Sequence, residues 1–170
     1  MESLFLNNTY MNHLKSRGDK QTIMLGFSDG TKDGGYFMAN WSIYKAKEEL
    51  SILANKYNIS IAFFDGRGGP PARGGGRTHE FYNSMGDTIQ ANDIQLTIQG
   101  QTISSNFGTL DSSQFNLEQL LSSGIKNQIF GKNSNNLSDE DKATLDLISE
   151  KSYNAYERFK SHPKFIKYLE

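Results

Sequence analysis

An α/β fold built on parallel strands follows from three observations on the sequence. Two compact apolar runs, residues 22–27 (TIMLGF) and 59–64 (ISIAFF), each break directly into a polar, glycine-bearing loop. A long segment with apolar residues at helical spacing lies between them. Strand, loop, helix, strand, loop, helix in that order is the pattern of parallel strands joined by crossover helices.

The composition sets the frame for those elements. With 170 residues, 36% hydrophobic and 22% charged, the chain suits one globular domain with a sizeable core. Lys and Arg number 18 against 19 Asp and Glu, a net charge of -1, so no global field recruits nucleic acid or an anionic membrane. Neither is expected as a partner, and any basic function must be local. Cysteine is absent, which removes disulfides, thiolate nucleophiles and zinc–thiolate sites and fits a cytoplasmic protein. No apolar segment is long enough to span a bilayer, and residues 1–15 lack the pattern of a signal peptide.

In chain order, Tyr10, Met11 and Leu14 predict a short amphipathic helix over 7–15 that stops at Arg17-Gly18-Asp19. Residues 22–27 read as a buried strand followed by a polar turn, SDGTKDGG. From Tyr36 to Tyr57 the residues Phe37, Trp41, Tyr44, Leu50, Leu53 and Tyr57 mark the longest helix, with Lys45 and Glu49 paired on its wet side. Residues 59–64 supply the second buried strand, and residues 79–84 a short helix. A third strand is IQLTI at 94–98, ending in Gln99-Gly100-Gln101. Asp111 with Gln114 resembles a capping box opening a helix that bears Phe115, Leu117, Leu120 and Leu121 and should end near Gly124. GKNSNN at 131–136 is a polar linker, after which Ser138 with Asp141 caps a helix carrying Leu145, Ile148, Tyr156 and Phe159 that ends before Pro163. All three strands deliver polar loops, and in barrels and open α/β sheets the carboxyl ends of the strands carry the site.

The most informative stretch is residues 59–79, ISIAFFDGRGGPPARGGGRTH. Gly66, Gly68, Gly69, Gly74, Gly75 and Gly76 sit among Arg67, Arg73 and Arg77. Glycines let the main chain approach a ligand closely, and arginine forks match the oxygens of phosphate or carboxylate, so the chemistry suggested is recognition of a small anion. A P-loop is excluded, because Pro71 stands at its first glycine and Arg77 at its lysine. A dinucleotide fingerprint is excluded because no G-x-G-x-x-G can be read. Arg-Gly-Gly at Arg67 and Arg73 leaves an RGG-type RNA-binding segment as one alternative, and a surface loop whose glycines only make turns as another.

The SDGTKDGG segment imitates a calcium loop but lacks its bidentate glutamate. Asp29 can supply one hard-oxygen ligand to magnesium or manganese, or can simply cap a turn or helix. Lys32 is a point-charge partner for an anion or a solvated lysine. His13 and His162 look peripheral, and His79 reads as structural or exposed.

Residues 23–35, IMLGFSDGTKDGG, resemble the phosphoenolpyruvate carboxylase signature I-M-L-G-Y-S-D-S-x-K-D-x-G. Residues 63–76, FFDGRGGPPARGGG, resemble that family's loop F-H-G-R-G-G-x-x-G-R-G-G. The resemblance implies a mostly helical α/β fold, part of a (β/α)8 TIM-type barrel with about three of its parallel strands and long helices. It makes residues 1–170 a single partial domain, with β/α units over 1–110 and a helical extension over 111–170.

The activity implied is that of a carbon–carbon lyase, joining bicarbonate to phosphoenolpyruvate to give oxaloacetate and phosphate through carboxyphosphate and an enolate. Such a reaction serves carbon dioxide fixation and replenishes the tricarboxylic acid cycle. Mg2+ or Mn2+ is the implied cofactor, with Asp29 matching the metal-binding aspartate. Lys32 matches the catalytic lysine of the signature, and Arg67 and Arg73 match the catalytic, substrate-holding loop arginines, with Gly68 and Gly69 beside them in the substrate loop. A further metal-binding glutamate and the catalytic histidine of the family lie in upstream segments that this sequence does not contain. The implied partners are therefore phosphoenolpyruvate, bicarbonate and the remainder of a carboxylase chain, in a homo-oligomeric parent. Since a complete barrel needs about 250 residues, the isolated chain is expected to be inactive; a non-catalytic anion-binding or RGG-type RNA-binding module is the alternative. Arg67→Ala or Arg73→Ala in the intact enzyme should nearly abolish carboxylation with little loss of stability.

Five positions depart from the family pattern: Phe27 for tyrosine, Gly30 for serine, Asp65 for the loop histidine, Ala72 for glycine and Gln101 for a frequent glutamate. Asp65 matters most, because it places an anion beside the arginines. Its carboxylate is expected either to pair with one of them or to alter the local affinity for anions.

Overall fold

The computed structural model describes residues 1–69, 75–90, 93–130 and 136–169, with the side chains of 126–130 excepted. A short helix α1 (Glu2–Phe5) leads into α2 (Asn8–Ser16), where the Asn7 side chain accepts from the Tyr10 amide at 3.1 Å and so caps the helix start. Gly18 and Asp19, at φ +74° and +54°, turn the chain into strand β1 (Lys20–Leu25). Helices α3 (Phe27–Gly34) and α4 (Tyr36–Lys56) then cross over to β2 (Ser60–Gly68). Helix α5 (Thr78–Asn83) precedes β3 (Ile94–Ile98), which is followed by α6 (Gln101–Phe107), α7 (Leu110–Phe130), α8 (Asp139–Lys160) and α9 (Phe165–Leu169).

Among the described residues three strands form one sheet in the order β1-β2-β3, and they are parallel, as the alternation of elements predicts. Ile23 is paired with Phe63 and Leu25 with Asp65 on one side of β2, and Phe63 with Ile94 on the other. The buried face of β2 carries Ile61, Phe63, Asp65 and Arg67, which alternate by two as strand geometry requires. Phe5, Leu14, Ala54, Ile59, Ile61, Phe63, Met85 and Ile89 make the core, with Ile23, Leu25, Tyr44, Leu50, Leu53 and Phe81 packed around it.

Several expectations change. SDGTKDGG is not a turn: it is most of α3, anchored by the fully buried Phe27, with Asp29 in its first turn and the Thr31 hydroxyl donating to the Phe27 carbonyl at 2.8 Å. Tertiary anchoring outweighs the poor helix propensity of its glycines. Gly35, at φ +79°, is where α3 breaks from α4. Strand β1 is only half-buried, and Met24 is 63% exposed. Strand β2 runs past Phe64 through Gly68, so Arg67 stands on a strand and not in a loop.

On α4, Lys45 pairs with Asp146 at 2.5 Å rather than with Glu49, because α8 packs there and brings a closer carboxylate. Helix α7 opens on Thr109, whose hydroxyl accepts from the Ser112 amide at 3.3 Å, and it runs beyond Gly124 to Phe130. The expected linker lies outside the described residues except for Asn136. The Ser138–Asp141 capping box is present, as the sequence indicates, and α8 ends at Lys160, with Ser161 as its C-cap, before Pro163. Among the described residues no helix is long and apolar enough to cross a membrane.

Candidate functional site

The carboxyl ends of β1 and β2 lie side by side, with Asp29 and Lys32 on α3, directly after β1, and Arg67 near the end of β2. Gly26 opens α3, and Asp29 turns its carboxylate back toward it, with Oδ2 3.8 Å from where a Gly26 Cβ would stand. The same first turns carry Lys32, whose Nζ lies 3.6 Å from Asp29 Oδ1; the two side chains are 84% and 60% exposed for Asp29 and Lys32. Both are accessible, and the pair is open to water and to ligands.

Arg67 behaves differently. It is only 6% exposed, and its guanidinium carbon sits 4.1 Å from the Phe81 ring centroid and 5.5 Å from that of Phe27. Phe27 and Phe81 meet edge to face at 5.4 Å, giving the planar cation an aromatic bed. Burial pulls the Arg67 guanidinium below its ordinary range, while the Tyr36, Tyr82 and Asp65 side chains act to raise it, Tyr36 through a hydrogen bond as well. An arginine held in this way presents a fixed cation in a poorly solvated place, where attraction to an anion is strongest.

Asp65 resolves one question left by the sequence. Its Oδ2 accepts from Lys47 Nζ at 2.6 Å and from the Tyr82 hydroxyl at 2.7 Å, and both Lys47 and Asp65 are buried, at 2% and 0% exposure. Among the described residues the hydrogen bonds to this carboxylate come from α4 and α5, and neither comes from an arginine. Burial pulls the Lys47 amine down and Arg67 adds to this, while Asp65 opposes it by charge and hydrogen bond. Burial pushes the Tyr82 phenol up, and the Asp65 carboxylate pushes it further.

Gly68 is fixed by the sheet. A Cβ there would fall 1.5 Å from the Thr97 carbonyl oxygen and 2.4 Å from Ile98 Cα. The register shifts here, with Asp65 opposite Leu96 but Gly68 opposite Ile98, so β2 carries one extra residue at the end that presents Arg67. Gly69 has more room, its added Cβ meeting only Gln99 Nε2 at 3.6 Å. Arg73 lies outside the described residues. Arg77 pairs with Glu80 at 2.6 Å on the surface, at the start of α5.

Asp29 offers the accessible hard oxygen that Mg2+ or Mn2+ takes. Among the described residues no three His, Asp or Glu side chains gather to hold a metal.

Sequence reasoning missed Lys47, Tyr82, Tyr36 and Phe81. For Lys47 a signal was present: it falls four residues after Ile43 and seven before Ala54, on the buried stripe of α4. A lysine on such a stripe requires a buried anion, and Asp65 on the inner face of β2 is that anion. The aromatic bed left no comparable signal, because it forms only when α3 and α5 meet over β2.

Fold and candidate site together define a class: an α/β protein with a buried arginine near the carboxyl end of one parallel strand and an accessible aspartate on the helix that follows the neighbouring strand. A family model described as phosphoenolpyruvate carboxylase matches residues 1–170. The phosphoenolpyruvate carboxylase of Rhodothermus marinus is 34% identical over 170 residues, covering 97% of this chain and 18% of that protein. The phosphoenolpyruvate carboxylase of Corynebacterium diphtheriae is 32% identical over 171 residues, covering 99% of this chain and 19% of that protein. This chain belongs to the phosphoenolpyruvate carboxylase family, and it spans about a fifth of the length of these relatives.

Proposed function

We propose that the chain forms part of the active site of a phosphoenolpyruvate carboxylase, which carboxylates phosphoenolpyruvate with bicarbonate to oxaloacetate and phosphate. The observation that carries the reading is Arg67, buried on its aromatic bed at the end of β2 within a family-matched sequence. Its guanidinium binds and orients the phosphate-bearing substrate or the carboxyphosphate derived from it, and its fixed position removes the cost of reorganising at the moment of reaction. Arg73 serves as a second cation for the same ligand, Gly68 and Gly69 let the chain pass close to it, and Lys32 supplies a further positive charge from α3. Asp29 holds one coordination position of Mg2+ or Mn2+, and the bound cation supplies Lewis acidity toward substrate oxygen.

In this reading the three-stranded sheet is an arc of a (β/α)8 barrel, with β/α units over 1–110 and a helical extension over 111–170, and the rest of a cytoplasmic, homo-oligomeric carboxylase completes it. The isolated chain is inactive. An RGG-type RNA-binding role is disfavoured for Arg67, because a buried side chain on a strand is unlike a disordered, solvent-borne arginine.

The test is a coupled assay of the full-length protein with phosphoenolpyruvate, bicarbonate and Mg2+, read as oxaloacetate. Wild-type protein should turn over, and Arg67→Ala should lose roughly 100- to 1000-fold in kcat, the usual result of removing one preorganised donor. Wild-type-like turnover in Arg67→Ala would sink the assignment of Arg67.

A further inference from the structure

Lys47 lies on α4, a helix that carries none of the residues proposed to touch substrate, yet it is only 2% exposed and reaches the strand that carries Arg67. Asp65 and Arg67 are two residues apart on the same buried face of β2. In a poorly solvated place an anion so near a cation is a direct competitor of an anionic substrate, since it can take the guanidinium and cancel its charge.

The structure shows the carboxylate drawn elsewhere. Asp65 Oδ2 is held by Lys47 at 2.6 Å and Tyr82 at 2.7 Å, while Arg67 lies over Phe81 at 4.1 Å. Phe81 is common to both cations, its centroid lying 5.3 Å from Lys47 Nζ, so α5 registers the two arrangements against each other. Phe63 and Tyr82 complete the surroundings of the ammonium at 4.9 and 5.5 Å. Lys47 and Asp65 thus offset each other's charge next to the site, while Asp65 still acts on Arg67 by charge without a hydrogen bond to it.

We infer that Lys47 is a positioning residue for anion binding: by holding the Asp65 carboxylate against α4 and α5, it keeps Asp65 from cancelling Arg67 and keeps the guanidinium on its aromatic bed. The inference rests on the reading of the β2 end as the site of an anionic substrate. It requires the net charge of positions 47 and 65, rather than either residue alone, to set the affinity.

The experiment uses the full-length enzyme. Lys47→Met leaves Asp65 uncancelled, and KM for phosphoenolpyruvate should rise about tenfold or more with a smaller change in kcat. Lys47→Met/Asp65→Asn removes both charges and should return KM to within about threefold of wild type, since neutral replacements of a buried pair are often tolerated. A folded Lys47→Met variant with unchanged KM overturns the inference. If Lys47→Met does not fold, the double variant decides: wild-type-like KM supports the inference. A double variant that fails to fold, or whose KM stays tenfold raised, overturns it, because the pair would then serve the fold and not the charge. Absence of carboxylation in wild-type protein is a separate result that removes the functional reading. The same variants are then compared by calorimetric titration of phosphoenolpyruvate, with Kd in place of KM and the same outcomes.

Discussion

Lys47, Asp65 and Tyr82 form one buried unit, and its energetics are those of charges taken out of water. Removing one partner of such a pair leaves the other unpaired and costs about 3–5 kcal/mol. Asp65→Asn in the full-length enzyme is therefore expected to destabilise by that amount at neutral pH, measured by urea unfolding. The pH dependence has a definite sign. Burial already depresses the Lys47 amine, so the unfolded chain binds more protons than the native one from the depressed value up to the ordinary lysine value near 10.5, and stability rises with pH across that window. Without Asp65 the depression deepens. The deficit of Asp65→Asn should narrow as pH is raised from 7 toward 10, and a deficit independent of pH would contradict this account. Asp65→His, the histidine of the family loop, should be poorly tolerated alone because it leaves the buried Lys47 ammonium without its counter-anion. Lys47→Gln should rescue it, read as recovery of soluble, active enzyme. Arg67→Ala carries a structural cost that the sequence did not foretell, about 2 kcal/mol for the lost stacking on Phe81, so its kinetic loss must be read alongside a melting temperature.

Among the elements, the junction of β2 with β3 and the clamp of α8 on α3 decide how accurately the site is held. Gly68→Ala would drive a methyl group into the Thr97 carbonyl at 1.5 Å. It should disrupt the sheet and yield little soluble protein, whereas Gly69→Ala, with its nearest contact at 3.6 Å, should fold normally. Helix α8 reaches the far end of α3, where the Tyr156 hydroxyl donates to the Lys32 carbonyl at 2.7 Å and Lys160 Nζ donates to the Asp33 carbonyl at 3.1 Å. These donors satisfy carbonyls that the helix end leaves open. Tyr156→Phe should cost about 1 kcal/mol, and the loosened α3 should show faster amide exchange at residues 31–34 without a change at β2. Trp41 Nε1 and Lys45 both bond to Asp146, and Lys142 bonds to Glu48, so α4 and α8 are joined along their length by polar contacts.

For the whole molecule, the sheet order leaves β1 and β3 as edges among the described residues, and large apolar side chains stand in solvent, Met24 at 63%, Leu110 at 89% and Tyr168 at 84%. Open edges and uncovered apolar residues favour association. The isolated 170-residue chain is expected to elute as oligomers in size-exclusion chromatography and to produce no oxaloacetate from phosphoenolpyruvate, bicarbonate and Mg2+. A monodisperse, active monomer would show that these surfaces need no cover.

The sequence by itself determined what depends on local periodicity and on motif. Compact apolar runs separated by a helix-spaced segment specify the parallel strands and the helix expected over 36–57, because a buried strand is apolar throughout while burial of one helix face enforces its period. The cap at Ser138 was legible because it is a hydrogen bond between near neighbours. Two motifs carried the family and put forward Asp29, Lys32, Arg67 and Arg73 as candidate site residues. Tertiary structure alone decided the rest. It made SDGTKDGG a helix, because packing of Phe27 outweighs glycine propensity. It extended β2 to carry Arg67, gave Lys45 to Asp146 and gave Asp65 to Lys47 rather than to an arginine. Which opposite charges pair is settled by which side chains are brought within a few ångströms in a desolvated place, and residues 18 positions apart in sequence acquire that proximity only when α4 packs on β2.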